Sequence, residues 1–166
     1  MAVSATDIRF YLSGGAANAD PNASLGGIKS TTEIVTATLE NLFDNVSSAD
    51  AVSGETNYRC LYVENTNGVD SLTAAITFFQ AQPAVTGIAM GLDPAGKNGT
   101  ATTVAAEDTA PGGVSFTPPA DAGSGLNLTD LTAGDFYAIW LRRIVAPGAS
   151  SNPLDSATVR VQGDTV

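Results

Sequence analysis

The chain has 166 residues and a mass of 16.8 kDa, the size of one domain; seven Lys and Arg stand against 17 Asp and Glu, a net charge of −10 with 14% of residues charged, where about 25% is usual. Without histidine, and with Cys60 as its one cysteine, it cannot build a Ser-His-Asp or Cys-His catalytic set, a His-ligated zinc or haem site, a thiolate cluster or an intrachain disulfide. The acidic balance also opposes nucleic acid and anionic membranes, whose affinity for proteins comes from Lys and Arg.

No basic stretch precedes an apolar run at the N-terminus, and no apolar run reaches the roughly 18 residues of a membrane helix. A soluble protein with no targeting segment is expected. Asp7 to Ser13 alternates, with Ile8, Phe10 and Leu12 on one face, and predicts a half-buried first strand. Residues 13–30 carry Gly14-Gly15, Asp20-Pro21-Asn22 and Gly26-Gly27, which predicts a long surface loop or arm. A loop of that length is expected either to bind or to order against a partner. Thr31 to Thr38 is β-branched and predicts a second strand centred on Ile34 and Val35. Leu39, Leu42, Phe43 and Val46 recur at helical spacing and predict a brief helical turn, ended by Gly54.

Tyr58 to Glu64 and Leu72 to Gln80 are apolar on both faces and predict central strands; Asn67-Gly68 between them suits a tight turn and an antiparallel hairpin. Val85 to Leu92 predicts another strand, and shorter ones are expected at Ala101 to Ala105 and Val114 to Phe116. Most of Glu107 to Leu128 is rich in Gly and Pro and reads as loop. Asp135 to Val145 predicts a long strand in the middle of a sheet, and Ser156 to Gln162 a last strand closing the chain on a hairpin. Eight or nine strands, mostly joined by short turns and with no recurring helix, predict a single all-β domain over residues 1–166, an antiparallel β-sandwich of the immunoglobulin or jelly-roll kind.

The candidate chemistry is thin. Gly91-Leu92-Asp93-Pro94-Ala95-Gly96-Lys97 has the spacing of a phosphate-cradling loop, but Asn98 replaces the magnesium-binding Ser or Thr and Gly99 breaks the helix that should follow. An ordinary turn with a solvated Lys97 is expected there. Glu107-Asp108 would point opposite ways on a strand, and Glu33, Glu40, Glu55 and Glu64 have no telling spacing for a pair of catalytic carboxylates. Asp20-x-Asn22, and Asp93 with Asn98, offer oxygens that calcium accepts but lack the spacing of a calcium loop, so Asx-turns are the expected use. Cys60 and Trp140 read as core. Arg142-Arg143 stands out in a chain with few arginines and suits an ion pair, within the chain or to a neighbouring subunit. No catalytic residue, metal site or cofactor is expected.

Three segments resemble small structural proteins of tailed-bacteriophage virions. They are Ile8-Arg9-Phe10-Tyr11-Leu12-Ser13-Gly14-Gly15 with Asn18 to Gly27; Leu42-Phe43-Asp44-Asn45-Val46 with Tyr58 to Val63; and Ala138-Ile139-Trp140-Leu141-Arg142-Arg143 with Ala146 to Ala149. The resemblance implies a virion component and no enzyme. With the low charge and the loop, it leads to the expectation of a capsid decoration, or cement, protein on the outer surface of the head. Its partners would be the major capsid protein and itself, a homotrimer being one arrangement, with contacts at Asp20, Asn22, Arg142 and Arg143. A tail or baseplate protein is the alternative; a carbohydrate-binding module, with Tyr11 or Tyr137 as its platform, is another.

Overall fold

A computed structural model describes residues 2–166 and is a β-sandwich of seven antiparallel strands. They are β1 (Ile8–Leu12), β2 (Glu55–Asn65), β3 (Leu72–Ala81), β4 (Gly87–Leu92), β5 (Leu126–Leu131), β6 (Phe136–Val145) and β7 (Thr158–Thr165), with one short helix, α1 (Ser48–Ser53). One sheet has the order β1-β2-β6-β4 and the other β5-β3-β7. Between them lies a core of Leu12, Leu61, Val63, Met90, Ile139 and Leu141 from the first sheet and Leu72, Ala75, Phe79, Leu128 and Leu131 from the second.

The outer face of the four-stranded sheet is apolar too, and it is covered by loops. Cys60, Tyr62, Ala138 and Trp140 on that face pack against Leu25 from residues 13–30 and against Ala101, Val104, Val114 and Phe116 from the connection between β4 and β5. The backbone completes this layer: Cys60 N donates to Ser24 O (2.8 Å), Gly27 N to Ala101 O (3.1 Å) and Val104 N to Leu25 O (3.0 Å). A strand buried on both faces reads as a continuous apolar run, which is why β2 and β6 carry large residues at nearly every position.

The segment 13–30 is therefore held against its own sheet. Ser13, Ser24 and Ser30 are fully buried, and the Tyr62 hydroxyl donates to Gly27 O (2.6 Å). Gly26, at φ +89°, touches the opposing loop so closely that a Cβ would lie 1.7 Å from Thr102 O. Only glycine fits there.

Several expectations are corrected. Among the described residues there are seven strands, not eight or nine, and the connections 13–54 and 93–125 take in the expected strands at 31–38, 101–105 and 114–116 as well as the expected loops. β2 and β3 are not a hairpin: β1 and β6 occupy both edges of β2, so the chain must cross to the other sheet. Asn65 and Asn67 close that arch, Asn65 Nδ2 donating to Asp70 O (3.0 Å) and Leu131 O (2.9 Å) and Asn67 Oδ1 accepting from Val69 N (2.9 Å) and Asp70 N (2.8 Å). The chain does not close on a hairpin either, because β2 and β4 flank β6 and β7 joins β3.

Residues 31–38 form no strand. Only a bridge between Tyr11 and Glu33 forms, with Leu12 N bonding Thr32 O and Ile34 N bonding Phe10 O, after which the chain leaves with Val35 exposed. Of the expected strand at 101–105 only the bridge Gly27 to Ala101 forms, and 114–116 pairs nowhere, the bridge Met90 to Thr117 falling one residue beyond it. The helical spacing at 39–46 gives no helix; the helix starts after Ser47, whose hydroxyl accepts from Asp50 N (3.1 Å), and ends at Gly54. β5 is not among the expected strands, and its first three residues lie in the expected loop; Thr129, at φ +62°, breaks its alternation, so the core takes Leu128 and Leu131 rather than every second residue.

Candidate functional site

The strongest concentration of buried polar chemistry lies at one end of β2 and β6. Asn57 faces Arg143 across the ladder, and Arg59, two residues on, shares the face of Asn57. Arg59 is 1% exposed and Arg143 7%. Both guanidinium groups lie by the ring of Phe43, at 5.7 and 5.0 Å from its centroid. Arg143 pairs with Glu55 (3.1 Å) and Asp44 (3.4 Å) and donates from Nη2 to Asn57 Oδ1 (2.9 Å) and from Nη1 to Asp44 O (2.5 Å). Arg59 pairs with Glu107, reaches Asp44 at 4.0 Å, and donates to Asn22 Oδ1 (3.0 Å).

This network gathers most of the contact residues expected from sequence. Asp20 caps the short turn Pro21–Ala23 by accepting from Asn22 N (2.9 Å), which sets Asn22 against Arg59. Arg143 is engaged within its own chain. Arg142 is apart from the network: its guanidinium lies 5.2 Å from the Phe116 ring centroid, its Nε has no hydrogen-bond partner, and it has no ion pair among the described residues. Phe43, Asp44 and Arg59 lie in the second phage-like segment, but neither they nor Asn57 are among the expected contact residues, because a lone arginine in an apolar strand and a Phe-Asp pair in a loop carry no pattern that marks a site. On one side of the network lies a cleft lined by Glu55, Thr56, Asn57 and 106–108; on the other lies a groove of about 510 Å³ between 39–48, 83–88 and 149–157. Asp155 ties the wall of that groove together. Its carboxylate accepts from the backbone N of Ala84, Val85 and Thr86 at 2.6 to 3.1 Å, and these bonds hold its pKa below the usual value against the opposing effect of burial.

The other sequence candidates resolve as structure. Lys97 is not simply solvated: it pairs with Asp135 (3.0 Å). Burial disfavours the Asp135 carboxylate, but bonds from Asn98 Nδ2 (2.6 Å), Thr132 Oγ1 (2.7 Å) and N (2.9 Å), and Lys97 outweigh it and hold its pKa well below the carboxylate range. A lowered folded pKa gives stability that is complete above the unfolded value and lost as pH falls through the folded one. The stability lost by Asp135→Asn should therefore shrink steadily between about pH 5 and pH 2; a difference from wild type that stays constant in urea titrations over that range would refute this.

Asp93 and Asn98 also have their oxygens engaged, in bonds to Trp140, Thr102, Ala95 and Phe136. No group of three or more metal-ligating side chains is placed to hold an ion among the described residues. Burial pushes the Cys60 thiol far up and the Tyr62 phenol up to about 12, so neither is a nucleophile near neutral pH. The chain matches no protein family, no curated protein and no solved structure.

Proposed function

We propose that this chain is a structural component of a bacteriophage virion, a decoration protein that binds coat subunits on the outside of the head and reinforces the shell. The observation that carries this reading is the convergence of the three phage-like segments. The first supplies Asn22, the second Phe43, Asp44 and Arg59, and the third Arg143, so the residues of the resemblance make one network. That network locks two long loops to the sandwich, which suits a protein whose task is rigidity. A carbohydrate platform needs exposed aromatic rings, and none is exposed among the described residues: Tyr11 lies under Lys29 at 4.2 Å and Tyr137 packs on the core. With Arg143 satisfied internally, Arg142 is the better candidate of the two for a salt bridge to the coat.

Gold-labelled antibody on purified virions tests the assignment. Label scattered over heads is expected, together with earlier rupture under heat or osmotic shock of heads that lack the protein. Label confined to tails would replace this reading by a tail or baseplate role, and particles without the protein would remove it.

A further inference from the structure

Of the four sheet edges, three are guarded or broken, and one has no backbone partner on its outer side among the described residues. Residues 32–34 lie along β1, Thr117 exchanges two backbone bonds with Met90 on β4, and β5 carries the positive-φ kink at Thr129. β7 is different. Its register against β3 runs Phe79↔Val159, Phe78↔Arg160, Thr77↔Val161 and Ile76↔Gln162, and the extra residues at the register shifts belong to β3, so β7 itself is regular.

The direction of its free backbone groups follows from its neighbour. Phe79 N donates to Pro119 O, away from β7, so Phe79↔Val159 is a non-hydrogen-bonded pair and the N–H and C=O of Val159 point outward. Alternation gives the same for Val161, Gly163 and Thr165. Val166 at the other end confirms the phase, exchanging bonds with Ser71 on the inner side. The side chains alternate as well: Val159 and Val161 pack on the core, while Arg160, Gln162 and Asp164 are exposed.

The geometry points to a second copy of this chain as the occupant of that edge, with β7 pairing antiparallel to β7 about a two-fold axis at Gln162. In that register Val161 faces Gly163 of the other copy and Val159 faces Thr165, so outward backbone groups meet outward backbone groups. Arg160 then stands opposite Asp164 of the other copy, twice, in non-hydrogen-bonded pairs, where side chains are closest. Arg160 and Asp164 have no ion pair within the chain among the described residues. They are also the only charged residues of β7, and a strand whose charges complement its own copy and no register shifted by one residue favours this pairing over an arbitrary strand. The two three-stranded sheets become one six-stranded sheet, an isologous contact.

Sedimentation and light scattering on the purified chain are expected to show a species of twice the 16.8 kDa chain mass. Arg160→Glu alone sets carboxylates opposite carboxylates, and Asp164→Arg alone sets guanidinium groups opposite each other; each should weaken the dimer at least about tenfold. Mixed together, the two variants should form a heterodimer, because each then offers the charge the other lacks. Thr165→Pro removes an outward N–H without touching the ladder to β3 and should also give monomer while thermal unfolding of the monomer stays near wild type. A wild-type monomer, a species of three chain masses, an edge that pairs only with a coat-derived strand, or single variants whose mixture does not recover the dimer would overturn the inference. Virion location does not enter this test, so the dimer and the virion assignment stand or fall separately.

Discussion

Replacing Arg59 with Met should cost about 2 kcal/mol of folding stability, and replacing it with Lys should cost no less. Arg59 is 1% exposed, so its stem is buried, and its head group serves Glu107, Asn22, Asp44 and Tyr58 O (3.2 Å) at once. Met preserves the stem and removes the charge. Loss of one member of a buried pair costs roughly 3 to 5 kcal/mol when its partner is stranded, but Glu107 and Asp44 are 39% and 43% exposed in their side chains and regain water, which lowers the figure. Lys keeps a strongly hydrated ammonium in a buried position and cannot reach so many acceptors, so the nominally conservative change is not the milder one. Urea unfolding of both variants measures the order. A Lys variant as stable as wild type would show that one point charge suffices and that the forked geometry contributes nothing.

The same residue fixes the loop. Asn22 loses its anchor in the Met variant, so limited proteolysis within 13–30 should accelerate beyond what the global loss of stability explains. Arg143→Met should behave similarly, and the double variant should lose less than the two single losses added, because Asp44 and Phe43 serve both guanidinium groups.

Local pattern announced most of the strands and little of their pairing. Ile8, Phe10 and Leu12, or the apolar run from Phe136 to Val145, report burial through a two-residue period, and both lie where that period places them. Pairing depends on which edges are already taken, and nothing in Asn67-Gly68 reveals that β2 has β1 and β6 on either side. β5 shows a second limit: a single positive-φ residue, Thr129, opposite the Ala74 bulge at φ +49°, shifts the apolar phase and makes a strand look like loop. The network had a third obstacle. Arg142-Arg143 drew notice as a doublet, yet only Arg143 turns to the carboxylates, since adjacent strand residues face opposite ways. Arg59 had no neighbour in sequence to mark it; its partners at 22, 44 and 107 come together only when both long loops have folded onto the sheet.

Asp93→Ala should be the most damaging single change on the outer face, about 4 kcal/mol, because it strands three donors at once. Asp93 is 1% exposed, and its carboxylate accepts from Trp140 Nε1, Thr102 N and Ala95 N, each at 2.9 Å. Each unsatisfied buried donor costs about 1 to 3 kcal/mol, with the value for Thr102 and Ala95 at the low end because water can reach them. Asp93→Asn keeps one carbonyl acceptor but turns an amide N–H₂ toward a donor, so about half of the loss is expected. Trp140→Phe removes only the indole N–H and some volume, and the vacated carboxylate keeps its other two bonds; its cost should be comparable to the Asn variant and carried mostly by packing. Equilibrium unfolding followed by near-ultraviolet circular dichroism orders the three. If Asp93→Ala lost less than about 1 kcal/mol, water would have to enter beside Trp140, and the loop layer over the four-stranded sheet would be a loose cover rather than part of the fold. A large loss means that the carboxylate, placed where β4 ends, sets the position of the 93–104 segment over the indole, and with it the surface that Leu25 and residues 24–27 require to close down.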